Sequence, residues 1–232
     1  MDARNLSKRL LTVAKYIPTN ARLADIGSDH AYLPAYLALK NQLAFGIAGE
    51  VVKGPYENAV NEIKKEGLTE ILEARLANGL AAIKATDEID TITICGMGGP
   101  LICEILEAGK AKLVSGPTLI LQPNVGEKAV RKWLQANHYQ IVAEEILEED
   151  QHIYEIIVAN PVEKMVEYSQ LELTFGPFLL QNPNPTFKAK WQKELAKKQV
   201  VLDQLKKAKG DLKAKQIQIE TEIKLIEGVL HD

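Results

Sequence analysis

Asp25, Gly27, Asp29 and Glu50 are the residues whose types and spacing can do chemistry in this chain. The first three lie in Arg22–His30, RLADIGSDH, a short apolar strand that runs into Asp-Ile-Gly; Glu50 closes the next apolar run. In open parallel sheets ligands bind beyond the carboxyl ends of the strands, where the strand order reverses. Gly27 permits a tight turn and a close backbone approach to a ligand. Glu50 follows Asp25 by 25 residues, where the second strand of a βαβ unit delivers a carboxylate to a ribose diol. A pyrophosphate cradle needs G-x-G-x-x-G, whereas this loop has one glycine between two carboxylates, Asp25 and Asp29. Two anions repel a pyrophosphate. The loop therefore suits a cationic, phosphate-free nucleoside cofactor, and S-adenosylmethionine is expected, with Ser28 and His30 beside it.

Three further motifs fall at strand ends. Asn78-Gly79 follows the third apolar run, where the cofactor's adenine would be held. Ile94–Pro100, ICGMGGP, follows the fourth and places Gly96 and Met97 at the same rim. Leu121–Asn124, LQPN, follows the fifth and adds an amide pair that includes Asn124. A glycine after a strand is usually only a turn, but four such motifs on one sheet edge describe a site. Cys95 and Cys103 have no Cys or His partners at ligand spacing, so neither a disulfide framework nor a metal site is expected. That usage suits a reducing cytoplasm.

The elements that position these residues alternate strand and helix. Strands are predicted at 22–26, 44–48, 72–76, 91–95 and 118–121, with helices at 33–40, 52–66, 100–112 and 127–137. Pro34 is tolerated in a first helical turn. This alternation implies a buried parallel sheet. Residues 139–147 and 152–159 then follow each other too closely for a parallel crossover and form an antiparallel hairpin. The fold class is α/β: a Rossmann-like sheet of parallel strands closed by an antiparallel pair. The first eighteen residues read as an amphipathic helix with basic residues Arg4, Lys8, Arg9 and Lys15. No continuous apolar segment marks a leader or a membrane span.

The pattern changes after Pro161. Residues 162–186 read as a linker, and Gln181–Pro185 cannot be helical throughout. From Phe187 an apolar seam of Trp191, Leu195, Leu202, Leu205, Leu212, Ile219, Ile223, Ile226 and Leu230 implies helix packing. A break at Gly210-Asp211 would let two halves pack on each other as a hairpin, whereas one continuous helix would need a partner chain. The expected division is 1–161 and 162–232. The chain carries a net charge of −3, unevenly distributed: 17 basic against 24 acidic residues up to 186, then 11 against 7. A lysine-rich face on an otherwise acidic protein suits a polyanion or is simply a solvated helix surface.

Taken in order, ADIGSDHAYLP, GEVVKGP, ANGL, ICGMGG and LQPN, followed by a lysine-rich helical hairpin, resemble the bacterial tRNA (adenine-22-N1)-methyltransferase family over essentially the whole chain. The resemblance implies a class I S-adenosylmethionine domain with a C-terminal coiled coil, acting on N1 of a D-arm adenine. It places Asp25, Gly27, Glu50, Asn78, Gly96 and Met97 in the cofactor pocket and Asp29, His30 and Tyr32 on the base-facing rim; Ser28, His30 and Gly79 are further expected cofactor contacts, and Asn124 is expected to act with Asp29 and Tyr32 on the base. Methylases of adenine nitrogens often carry Asn or Asp, Pro-Pro and an aromatic at the position that here reads Gly-Met-Gly-Gly. Asp29 would stabilise the charge that develops on the base or would cap the following helix; Tyr32 would stack on the adenine or pack in the core. Arg4, Lys8, Arg9, Lys188, Lys190, Lys193, Lys197 and Lys206 are the expected RNA contacts. The partner is then tRNA, with no membrane and no obligate protein partner. Two other readings stay open: a methyltransferase of another substrate, and a non-catalytic RNA-binding protein on the same fold.

Overall fold

The computed structural model describes residues 2–208 and 212–231. Seven strands form one sheet: β1 (Ala21–Ile26), β2 (Leu43–Glu50), β3 (Leu72–Leu76), β4 (Thr91–Gly98), β5 (Thr118–Val125), β6 (Tyr139–Glu149) and β7 (His152–Pro161). Their order is β3-β2-β1-β4-β5-β7-β6. The first five strands pair in parallel, while β7 is antiparallel to both β5 and β6. The order reverses between β1 and β4, so the cleft of a parallel sheet falls at their carboxyl ends. Ile26, Glu50, Gly98 and Val125 end their strands on that edge.

Helices cover both faces: α1 (Lys8–Ala14), α2 (Tyr32–Leu39) and α3 (Lys53–Lys65) on one side, α4 (Gly99–Ala108) and α5 (Glu127–Ala136) on the other. Two buried clusters follow, one joining Leu10, Val13, Leu33 and Leu37 to Leu23 and Ile156, the other joining Ile102, Leu106, Val130 and Leu134 to Ile92 and Leu119. The amino-terminal helix is shorter than its basic pattern suggests. It begins only after Ser7, whose side chain accepts the Leu10 N–H, because a hydroxyl at the N-cap satisfies a donor that earlier residues cannot. Pro34 sits within the first turn of α2, as expected.

Residues 162–186 are more than a linker. Two short helices, α6 (Gln170–Phe175) and α7 (Pro177–Gln181), lie there. The segment is docked by Tyr168, whose hydroxyl receives the Ile141 N–H at 2.8 Å and whose own N–H donates to Gln135. Asn184 then caps α8 (Pro185–Lys207) by accepting the Phe187 N–H at 2.9 Å. Asn-Pro is thus a helix start, with proline at the position where its missing N–H costs least. α8 pairs with α9 (Lys213–His231) through Lys198–Glu222 and Lys206–Glu220, which gives the hairpin. The proposed break at Gly210-Asp211, like Lys209, lies outside the described residues. Phe187 and Trp191 serve less as hairpin core than as anchor: with Ile226 they pack on Phe175, Leu179 and Ile146.

Candidate active site

Asp25, near the end of β1, is buried, and both its oxygens are engaged. Ser28 Oγ donates to one at 2.5 Å and Thr93 Oγ1 to the other at 2.6 Å. Burial pushes its pKa above the ordinary carboxylate value despite those two hydroxyls and the nearby Arg9. Thr93 faces Asp25 in register across the β1–β4 pair. Sequence reading missed it, although a threonine inside the apolar run TITIC of a central strand is a signal that a polar partner is needed. Gly27 turns with φ +70°, and a Cβ there would run into the Met97 methyl. The Asp25 loop and the Gly96-Met97 loop therefore touch at a glycine that no other residue can replace without strain.

After Gly27 the backbone of Asp29, His30 and Ala31 takes φ of 40°, 68° and 58°. Three consecutive non-glycine residues in the left-handed region are costly and persist only where surroundings enforce them. Glu50 is one enforcer: its Oε1 accepts the Asp29 N–H at 2.6 Å. Its own pKa is raised by burial, with the Asp29 N–H opposing. The N-cap of α2 is Ala31, which has no side-chain cap, so Asp29 is not a helix cap. The Asp29 carboxylate instead stands at the rim, its side chain 75% exposed, 3.6 Å from His30 Nε2. His30 stacks on Tyr32 with ring centroids 5.1 Å apart and planes 5° apart. One face of Tyr32 is thereby covered, and the residue also packs against the buried cluster beneath α2.

A cleft of about 300 Å³ opens between these loops, lined by Asp25, Gly27, Ser28, Asp29, Gly96 and Met97 together with Arg9, Leu10, Leu33, Cys95, Asn124 and Tyr154. Burial, together with nearby Asp25, pushes the Cys95 thiol well above its usual range, so it is no nucleophile at neutral pH. Asn124 is committed on both sides of its amide: it accepts from Gln122 Nε2 at 3.0 Å and donates to the Gly96 carbonyl at 2.8 Å. It positions the Gly96 loop. Gln122, fully buried, receives the Gly96 N–H at 3.0 Å and Arg9 Nη1. Gly99 packs so closely on Gly126 that a Cβ would strike its carbonyl; this glycine serves loop packing rather than approach to a base. Glu50, Asn78 and Gly79 stand beside the cleft, not in it. The Ala77 N–H donates to the Glu50 carbonyl at 2.7 Å, which sets the exposed Asn78 next to the end of β2.

The predicted RNA contacts separate into groups. Lys190 does not face solvent: its ammonium pairs with Glu127 at 2.5 Å and Glu155 at 2.7 Å, under the hairpin. This corrects its assignment, since an ammonium already held by two carboxylates has no need of a phosphate. Arg4 pairs with Glu66 at the end of α3, and Lys8 donates to the Glu148 carbonyl. Lys188 and Lys193 are exposed; Lys197 pairs with Glu194 and Lys206 with Glu220. Lys193 and Lys197 join Lys128 and Lys198 along a groove of about 870 Å³ between the sheet domain and the hairpin. Asn124 lines both this groove and the cleft. Among the described residues, no cluster of His, Cys, Asp and Glu is arranged to hold a metal, and no helix is long and apolar enough to cross a membrane.

The sequence profile of the tRNA (adenine(22)-N(1))-methyltransferase family matches residues 23–228. The chain belongs to that family. It is 45% identical over 212 residues to the tRNA (adenine(22)-N(1))-methyltransferase of Bacillus subtilis (strain 168), covering 90% of this chain and 89% of that one. A Streptococcus pneumoniae structure in complex with S-adenosyl-L-methionine superposes with TM-score 0.90 at 45% identity, covering 98% of this chain and 100% of the other. The M. capricolum family member in complex with S-adenosyl-homocysteine does so with TM-score 0.87 at 32% identity, covering 97% and 98%. The family match spans both the sheet and the helical hairpin, so the lysine-rich hairpin is part of the family fold and not an addition to it.

Proposed function

We propose that this chain methylates N1 of adenine 22 in tRNA with S-adenosylmethionine as methyl donor. The family match along nearly the whole chain carries this reading. The residues fit the cofactor: a buried anion at Asp25, a close backbone approach at Gly27, and a Glu50 carboxylate with one oxygen uncommitted at the end of β2. Glu50 holds the ribose diol, Asn78 and Gly79 flank the adenine ring, and Asp25 faces the amino-acid end. When bound, the cofactor supplies an electrophilic sulfonium methyl group.

Adenine N1 attacks through a neutral lone pair, so no base has to remove a proton first. The protein's contribution is then positioning, worth up to roughly 7–11 kcal/mol in well-oriented systems. The methylated ring is cationic, and Asp29 at the rim stabilises that charge as it forms. A target nitrogen held in a base pair or stack is unreachable, so the adenine is turned out toward the cleft. The groove lysines Lys128, Lys193 and Lys197 hold the RNA backbone. A cytoplasmic site of action agrees with the two free cysteines.

The test is incubation of the full chain with methyl-labelled S-adenosylmethionine and bulk tRNA, followed by nucleoside analysis. Label is expected in 1-methyladenosine, and a transcript with guanine at position 22 should accept none. Label in another nucleoside, or none in RNA, would overturn the reading.

A further inference from the structure

The cleft and the groove meet at a step formed by the start of β7 and the end of β5. Asn124 lines both cavities, Tyr154 lines the cleft and His152 lines the groove. His152 and Tyr154 are alternate residues of one strand, so their side chains lie on the same face. Their ring centroids are 6.3 Å apart and their planes differ by 25°. The rings therefore make a short aromatic surface that leads from one cavity toward the other. Val125, the last residue of β5, lines the groove beside them and is 64% exposed.

The step is held in place from both sides. His152 pairs with Glu149 where the β6–β7 hairpin closes, and its Nδ1 lies 2.8 Å from the Asp150 carbonyl oxygen. The Glu149 carboxylate accepts the Lys8 N–H at 2.5 Å and the Arg9 N–H at 3.1 Å, which ties the hairpin to the first turn of α1. The Arg9 guanidinium sits over the Tyr154 ring, 5.3 Å from its centroid, and Tyr154 also packs on the buried cluster. His152 is exposed. Of the two rings, it is the one with a face to offer.

Past the step, the groove presents cations without anions. Lys128 donates to Thr174 Oγ1 and Lys193 is exposed, and neither makes an ion pair among the described residues. Burial, with Lys132 nearby, lowers the Lys128 pKa. A ligand crossing the step meets a ring and then positive charge, which is the complement of a nucleotide: a flat base with a phosphate attached. An acidic peptide would suit the lysines but has no flat face for the ring. Turning an adenine out of its stack also deprives the adjoining base of a stacking partner.

We propose that His152 stacks on the base next to the methylated adenine and holds that nucleotide at the step while the adenine occupies the cleft. This rests on the functional reading above, since it presumes an RNA substrate. Stacking accepts any base, so the step senses an unstacked neighbour and not its identity.

The experiment measures kcat/KM at saturating S-adenosylmethionine for the full-length wild type, His152→Ala and His152→Phe. Three tRNAs are compared: one intact, and two with an abasic nucleotide on one or the other side of adenine 22. On intact tRNA the ratio of wild type to His152→Ala should be about 5- to 10-fold, the lower part of the range for a base on an aromatic ring. On one of the abasic tRNAs that ratio should fall to near one, because the base that His152 touches is gone. His152→Phe, which keeps a ring, should restore most of the loss on intact tRNA. S-adenosylhomocysteine affinity should match in all three proteins, which shows that they are folded; if His152→Ala does not fold, His152→Asn, which keeps a donor for the Asp150 carbonyl, carries the same comparison. An equal loss on all three tRNAs would make His152 a structural residue and overturn the proposal, as would wild-type kcat/KM on intact tRNA. A wild type that methylates none of the three would overturn the functional reading and this proposal with it.

Discussion

Glu50 does two things with one carboxylate. One oxygen holds the strained Asp29 loop, and the other is the one proposed above for the ribose. Glu50→Ala should therefore weaken S-adenosylhomocysteine binding by roughly 1–3 kcal/mol in calorimetry and also lower turnover at saturating cofactor. Glu50→Gln keeps an acceptor for the Asp29 N–H, so it should recover turnover more than affinity. Asp29→Asn should behave differently, lowering kcat on tRNA with little change in cofactor affinity. About tenfold is expected, less than the roughly 10²–10³ of an enclosed donor, because the carboxylate is 75% exposed. Wild-type turnover in that variant would remove Asp29 from the chemistry. Asp25 has the opposite balance. Its pKa is raised by burial, so the folded state binds a proton that the unfolded chain has already released. Stability is therefore lost as pH rises from the ordinary carboxylate value through the raised one. Asp25→Asn should gain a few degrees in midpoint at neutral pH, with about 1 kcal/mol worth roughly 2–4 °C at this size. It should lose most cofactor affinity, and a thermal scan against pH would show the two curves converging in acid.

At the scale of elements, the strands, the antiparallel closure and the hairpin were legible because each follows from local periodicity and connection length. Asp25 and Glu50 were legible for the same reason, since strand ends are local features. Thr93 was not, because its role comes from register with β1; Gln122 was legible as one of the amide pair at the rim, but its ties to Gly96 and Arg9 come from register with β4 and from α1. Lys190 shows the limit most clearly. Its sequence neighbours are exposed lysines, yet one helical position turns it onto the sheet domain. There Arg131 pairs with Glu144 at 2.7 Å and Glu155 at 2.5 Å, and Lys190 completes the network through Glu155 and Glu127. Burial raises the Glu155 pKa, but Arg131 and Lys190 outweigh it and hold the carboxyl below its usual value. That stabilisation is present above the ordinary carboxylate value and is lost as pH falls through the depressed one. Removing one partner of a buried network costs about 3–5 kcal/mol when the other charge is stranded. Because Glu155 keeps Arg131, Lys190→Met should cost about 2–3 kcal/mol, lower the thermal midpoint by roughly 5–10 °C, and flatten the acid limb of the stability profile. An unchanged midpoint would mean that the apolar anchor of Phe187 and Trp191 holds the hairpin without these charges.

Across the whole molecule, the sheet domain and hairpin share one polar network and one apolar cluster, so the hairpin presents its lysines at a fixed angle to the cleft. The sheet part is acidic, and the groove that leaves the cleft at Asn124 passes Lys128, Lys193 and Lys197. A strand leaving the active site in that direction would meet Lys128 and Lys193, and beside them Lys197 and Lys198, which pair with Glu194 and Glu222. Each lysine–phosphate contact releases a counterion, and losing one reduces the slope of log K against log salt by a little under one. Such contacts position the nucleic acid without reading its sequence. Replacing Lys193 and Lys197 together with Ala should therefore weaken tRNA binding, flatten its salt dependence by up to about 1.4 to 1.8, and leave S-adenosylhomocysteine affinity unchanged. The matching pair Lys206→Ala and Lys207→Ala, at the far end of α8 and outside the groove lining, should have a smaller effect. Filter binding over a salt series separates the two pairs. A flattened slope only in the distal pair would place the RNA along the hairpin tip and leave the groove lysines as solvated surface.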